Sequence, residues 1–138
     1  NMRILLVKPD QEAFETEIKD DLTSLQETVG GYIQALYPFD DPVALICNEE
    51  NKLLGLPLNR ALYDDEGRVY DIIAGDFFLT GLGEDDFSDL SDELMKKYME
   101  HFKYPEIFFR SGNEIVAIKQ TEGYMEDIAE KSLSEPLL

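Results

Sequence analysis

The chain has 138 residues, with 30 Asp and Glu against 12 Lys and Arg, so its formal net charge at pH 7 is −18. This length predicts one domain with its own core, and a hydrophobic fraction of 43% is too high for a disordered chain. The acidity excludes direct nucleic-acid binding as a default, because phosphate contacts need an excess of Lys and Arg, and it equally disfavours anionic membrane surfaces.

The first half of the chain predicts paired strands around a short helix. The apolar run 3–8 and the alternating segment 13–18 predict a hairpin, because alternation is typical of a half-buried strand. A short helix should follow and end at the Gly30–Gly31 pair, where one glycine can adopt the left-handed conformation. Segments 32–37 and 43–47 predict two further strands. Two strands, a helix and two strands also fit a β-grasp start.

The middle of the chain predicts further hairpins. A turn at 48–51 leads into a strand over 52–56, and the acidic turn 64–67 precedes a long apolar strand over 69–79. Gly75 lies inside that strand, which indicates a bulge.

The strongest helix signal covers residues 89–103, where apolar residues repeat every four positions. Segments 107–109 and 114–118 flank a turn and predict a hairpin. Residues 124–133 place several apolar side chains on one side, which indicates a short terminal helix.

These elements predict an α+β fold. We expect a mostly antiparallel sheet built from hairpins, with a short helix after the second strand and a longer helix near residues 89–103. One domain should span residues 2–133, followed by a frayed tail over 134–138.

Cys47 is the only cysteine, and no apolar stretch approaches the length of a membrane span. A lone cysteine forms neither an intramolecular disulfide nor a thiolate metal cluster. The apolar run after Met2 is too short for a signal-peptide core. We therefore expect a soluble, cytoplasmic protein without a membrane partner.

The densest charge lies between residues 84 and 93, and half of the negative excess falls within 61–100. Such a surface could bind a protein with a basic surface or, in a sharper form, imitate the phosphates that a DNA-binding protein recognises. A solvated face that only keeps the protein soluble is the alternative. The sequence leaves the oligomeric state open. The candidate partner-binding residues are Glu84, Asp85, Asp86, Asp89, Asp92 and Glu93.

Asn59 and Arg60 form a second candidate site. A guanidinium beside an amide suits a carboxylate or a phosphate, so the alternative function is a small enzyme or ligand-binding domain with a pocket near this pair. The same side chains would equally serve to hold their loop against a neighbouring Asp or carbonyl.

Motifs for other chemistry are missing from the sequence. It contains no phosphate loop, no dinucleotide fingerprint and no zinc-binding pair. The acidic turn 64–67 fails as a calcium loop, because Leu62 and Ile73 would occupy its first and twelfth ligand positions. His101 and Cys47 are expected in or beside the apolar core. We predict no metal, no cofactor and no catalytic residue.

Three stretches carry a family resemblance. They are residues 25–33, residues 46–60 with the words ICNEE and LLGLPLNR, and residues 71–78 with the word DIIAGDFF. They resemble the bacterial and phage family called Domain of Unknown Function 3846, over roughly Met2 to Phe102. The resemblance implies a small protein of bacteria, phages or mobile elements, without an established activity, cofactor or catalytic residue. The mobile-element association favours proteins that act on host machinery, including antirestriction DNA mimics.

Overall fold

The computed structural model describes residues 1–121, in which a central antiparallel sheet carries a helix on each face. The predicted α+β class, with a mostly antiparallel sheet and two helices, is confirmed. The elements in chain order are β1 (Met2–Val7), β2 (Phe14–Ile18), α1 (Leu22–Val29), β3 (Ile33–Leu36), β4 (Val43–Asn48), β5 (Leu58–Tyr63), β6 (Val69–Ala74), β7 (Phe77–Leu82), β8 (Phe87–Ser88), α2 (Asp92–His101), β9 (Glu106–Ser111) and β10 (Glu114–Lys119).

The central sheet has the strand order β2-β1-β7-β4-β3, and every pairing in it is antiparallel. The short strand β8 also pairs with β7. Strands β5 and β6 form a separate two-stranded sheet, as do β9 and β10. The β-grasp start is therefore wrong, because β7, from later in the chain, lies between β1 and β4, which a β-grasp would place side by side.

Side chains of β1 alternate between two apolar clusters, one on each face of the sheet. Met2, Ile4 and Leu6 pack with α1 residues, whereas Leu5 and Val7 face α2. Because both faces are covered, the strand reads as a continuous apolar run. The α2 face also receives side chains from β5 and β6, so this second sheet packs over the central one.

The helices begin and end at residues that satisfy their free backbone groups. Asp21 accepts a hydrogen bond from the Ser24 amide at 2.7 Å, and Gly30 ends α1 with φ 77°. Ser91 caps α2, which is shorter than the predicted helix over 89–103. The reason lies in β1, since Asp89 Oδ1 accepts from the Arg3 amide at 2.8 Å and the Leu90 amide donates to the Arg3 carbonyl at 3.0 Å.

Two strand predictions in the middle of the chain are wrong. Residues 52–55 form turns and residue 56 is irregular, with the Leu54 amide donating to the Glu50 carbonyl at 2.9 Å, and the strand begins at Leu58 instead. The apolar run 69–79 is two strands in different sheets. Gly75 separates them with φ 76° and donates its amide to the Pro57 carbonyl at 2.7 Å, so the chain turns there instead of forming a bulge.

The predicted hairpin near residues 107–118 is confirmed as β9 and β10. The predicted terminal helix over 124–133 and the tail over 134–138 lie outside the described residues, so the domain boundary at residue 133 stays a prediction. Among residues 1–121, neither helix has the length and apolar character needed to cross a membrane.

Candidate functional site

Arg60 is fully enclosed by the fold, with a relative exposure of 1%. Its guanidinium donates to three backbone carbonyls: that of Phe102 at 3.0 and 3.2 Å, that of Gln11 at 2.7 Å and that of Asn59 at 3.3 Å. A further bond reaches the side-chain oxygen of Asn59 at 2.9 Å. Burial lowers the pKa of Arg60 to about 10, so the group stays charged at neutral pH. Arg60 thus ties β5 to the end of α2 and to the loop after β1.

Asn59 is equally buried and joins two other parts of the chain. Its amide nitrogen donates to the Val7 carbonyl at 2.9 Å and to the Gly75 carbonyl at 2.7 Å. The Arg60 bond to its oxygen fixes the orientation of the amide. We call Asn59 and Arg60 the polar hub, because together they hold the ends of β1, β6 and α2 in place.

A buried carboxylate completes the surroundings of the polar hub. Glu106 accepts from the Ala61 amide at 3.0 Å and from the Tyr63 hydroxyl at 2.6 Å, and it contributes a favourable charge to Arg60. Burial, followed by the bond to Glu106, raises the pKa of the Tyr63 hydroxyl. Within residues 1–121, no buried side-chain polar atom lacks a hydrogen-bond partner. The polar hub therefore has no donor left for a ligand.

The six predicted acidic residues lie in the turn before β8 and around the start of α2. Glu84, Asp85 and Asp86 occupy the turn between β7 and β8, and Asp89 precedes the cap of α2. Asp92 and Glu93 form the first turn of α2, where their charge complements the helix dipole. All six side chains are exposed. We call residues 84–93 the acidic segment.

Arg3 is a cation beside the acidic segment that the sequence prediction missed. It forms ion pairs with Glu15 at 2.8 Å and with Asp92, and these two carboxylates raise its pKa. Asp89 is also held by Arg3, through the backbone amide. Arg3 lies 86 residues before Asp89, so no local pattern in the sequence indicates this contact.

The four other carboxylates of the acidic segment differ in whether they accept hydrogen bonds within the chain. Asp86 accepts a hydrogen bond from the Phe87 amide at 2.7 Å, and it therefore shapes its own turn. No hydrogen bond or ion pair joins Glu84, Asp85 or Glu93 to another side chain in the described part of the chain. Three of the six carboxylates thus face solvent and accept no hydrogen bond from another described side chain.

His101 and Cys47 lie in separate surroundings. The His101 ring packs against aromatic rings, with that of Phe102 at 4.6 Å between centroids. Cys47 is buried, and burial raises its pKa to about 11, so the thiol stays protonated. Among residues 1–121, no group of three His, Cys, Asp or Glu side chains is placed to hold a metal ion.

A family model described as "Domain of unknown function (DUF3846)" matches residues 2–103 of the chain. The match spans the central sheet and both helices, and it ends before β9. No curated protein and no solved structure matches the chain.

Proposed function

The chain belongs to the DUF3846 family, a domain of unknown function, and we propose that it acts as a non-enzymatic module that binds a protein with a basic surface through the acidic segment. The observation that carries this proposal is the exposure of six carboxylates within ten residues that include no Lys or Arg. Arg3 offsets part of that negative charge, but its guanidinium is also paired with Glu15, which lies outside the acidic segment. A strong negative potential should therefore remain on this face, and such a potential steers a basic partner toward it.

The backbone of the acidic segment supports the proposal because several contacts hold it in one conformation. Its middle residues, which form β8, are paired with β7, and Ser91 caps the start of α2. The approach at Gly81 is so close that a Cβ atom there would lie 2.3 Å from the Asp89 carbonyl oxygen. A surface fixed in advance loses little conformational entropy when a partner binds.

In its sharper form, the proposal is that the acidic segment replaces the phosphates of DNA on a DNA-binding protein. The six exposed carboxylates lie within ten residues, which gives a closely spaced run of like charges. The partner would then be displaced by duplex DNA. We expect this encounter in the cytoplasm of a bacterium that carries the protein or its mobile element.

The structure dictates which residues to change in a test. Asp86, Asp89 and Asp92 have internal partners, so reversing their charge would disturb the fold as well as the surface. Glu84 and Asp85 have no such partners within residues 1–121, so their charge can be reversed without this effect on the fold. The double variant Glu84→Lys and Asp85→Lys should therefore be compared with Glu49→Lys and Glu50→Lys, an exposed acidic pair outside the acidic segment that receives the same change of charge.

The experiment is affinity capture from a host lysate with a salt gradient, followed by competition with duplex DNA. We expect the wild type and the Glu49/Glu50 variant to retain the same basic protein, and the Glu84/Asp85 variant to release it at lower salt. Equal retention by both variants would reject the acidic segment as the binding surface. If duplex DNA does not displace the partner, only the DNA-mimic form of the proposal is rejected.

The alternative, a ligand pocket that uses Asn59 and Arg60 directly, receives less support. Both side chains donate their hydrogen bonds to oxygens inside the fold. A ligand bound nearby would therefore contact the residues that the polar hub positions, and not Asn59 or Arg60 themselves.

A further inference from the structure

A cleft of about 450 Å³ lies next to the polar hub. Four parts of the chain line it: the loop after β1, the last turn of α1, the segment before β5 and the corner between β6 and β7. Its volume lies in the range of small-molecule sites. Neither the acidic segment nor any residue of the proposed protein-binding surface contributes to this cleft.

Two opposite charges line the cleft without an ion pair between them. Lys8 and Asp76 are both half-buried, and neither side chain makes a hydrogen bond or an ion pair within residues 1–121. Burial raises the pKa of Asp76, and the charge of Lys8 acts in the opposite direction. A half-buried carboxylate without a donor is a group that a bound cation would stabilise.

The polar hub fixes the backbone from which these two charged side chains extend. The amide of Asn59 donates to the carbonyls of Val7 and Gly75, and Lys8 and Asp76 are the residues that directly follow those two. One side chain therefore clamps together the two backbone segments that carry the charges. Arg60 adds a second restraint, because it holds the Gln11 carbonyl at 2.7 Å at the far end of the same loop.

The walls of the cleft differ in electrostatic character. The C-terminal end of α1, which is the negative pole of the helix dipole, lines the cleft together with the Glu27 carboxylate. Asp76 adds a second carboxylate to the lining. Lys8 is the cationic side chain of the lining. Pro9 and Pro57, whose φ angles are fixed by their rings, add rigid apolar surface to the lining.

We propose that this cleft binds a small zwitterion, with its amine toward Asp76 and Glu27 and its carboxylate toward Lys8. The ligand class follows from the lining, since a molecule of one charge would satisfy one of the two groups and leave the other unpaired. The cleft is a binding site, and no reaction is assigned to it.

The probes for this proposal are β-alanine, γ-aminobutyrate and ε-aminocaproate, which separate an amine and a carboxylate by rising distances. Butylamine and butyrate serve as controls that carry a single charge each. Backbone amide NMR of the intact chain should show that at least one zwitterion shifts the signals of Gly75 and Asp76, whereas the controls at the same concentration bind at least about tenfold more weakly.

Two variants remove one charge each without a large change of shape. Lys8→Gln and Asp76→Asn should each weaken zwitterion binding by about tenfold or more, and Lys96→Gln and Asp65→Asn are matched changes outside the cleft lining that should leave it unaltered. Unchanged amide spectra in all three titrations would overturn the proposal. Wild-type affinity in the Lys8 and Asp76 variants, or shifts located away from the cleft, would also overturn it.

Discussion

The polar hub and the acidic segment are both rich in polar groups, but they use them in opposite ways. Arg60 and Asn59 are almost completely buried, and their donors are satisfied by oxygens from distant parts of the chain. The carboxylates of the acidic segment are exposed, and those of Glu84 and Asp85 have no described partner. The hub thus determines how elements are held together, whereas the acidic segment leaves its charge available to other molecules.

Asn59 and Arg60 show why an uncommon pair of residues in a sequence is a poor guide to ligand contact. An Arg–Asn pair is conspicuous in an acidic chain and suggests a site for an anion. The structure gives the pair a different task, because a buried guanidinium is stabilised here by backbone carbonyls and by the nearby charge of Glu106. Such an arrangement contributes to the fold itself.

The largest expected effect follows from replacing Arg60 by Met, which keeps part of the volume and removes the charge. The carbonyls of Phe102 and Gln11 would lose their donors, and we expect the free energy of unfolding to fall by about 3 kcal/mol or more. Urea unfolding followed by circular dichroism measures this loss. A loss below about 1 kcal/mol would mean that the hub is not a structural anchor.

A second prediction compares two glycines with similar φ angles, one beside the hub and one in a surface turn. Gly75 has φ 76° and would place a Cβ atom 2.7 Å from Leu56 Cδ1, whereas Gly67 has φ 79° and open space around it. Gly67→Ala should cost about 1 kcal/mol for the backbone alone, and Gly75→Ala should cost more, because Leu56 must also shift to admit the methyl group. Equal changes in urea midpoint would contradict the close packing at Gly75.

A third prediction concerns a surface carboxylate that, unlike Glu84, has internal partners. Asp41 accepts hydrogen bonds from Lys97 Nζ at 2.5 Å and from the Tyr98 hydroxyl at 2.7 Å, which lower its pKa. A carboxylate with a lowered pKa in the folded state stabilises the fold above its unfolded pKa of about 4, and this contribution is lost as the pH falls.

The variant Asp41→Asn should therefore be less stable than the wild type at neutral pH and should approach it in strongly acidic buffer. Urea midpoints at several pH values test this convergence. A gap between the two proteins that stays constant from neutral to acidic pH would show that the Asp41 charge is not responsible.

The smallest effect is expected for Glu84 and Asp85 of the acidic segment. Glu84→Lys with Asp85→Lys should change the free energy of unfolding by less than about 0.5 kcal/mol, because neither side chain has a described partner to lose. The same urea experiment applies. A loss comparable to that of the Arg60 variant would remove the distinction between the two regions.

The sequence predicts those parts of the fold that depend on neighbouring residues. The hairpin of β1 and β2 follows from alternation, and the end of α1 at Gly30 follows from the conformational freedom of glycine. The α+β class is confirmed for the same reason, since it requires only the order and type of the elements.

What the sequence did not predict depends on contacts between distant residues. The break at Gly75 resembles a bulge until Leu56 and Pro57 are known to pack against it. The start of α2 is displaced because β1 captures Asp89 and Leu90. The role of Arg60 depends on Gln11 and Phe102, which are 49 and 42 residues away, and no periodicity reports such contacts.

The central claim is that the acidic segment binds a basic protein, and that its residues Glu84 and Asp85 serve this binding without being needed for the fold. Its most direct test is the salt concentration that releases the captured partner from the Glu84/Asp85 double variant, relative to the Glu49/Glu50 double variant. We expect release at distinctly lower salt from the first variant and unchanged release from the second. The same release point for both variants would contradict the claim.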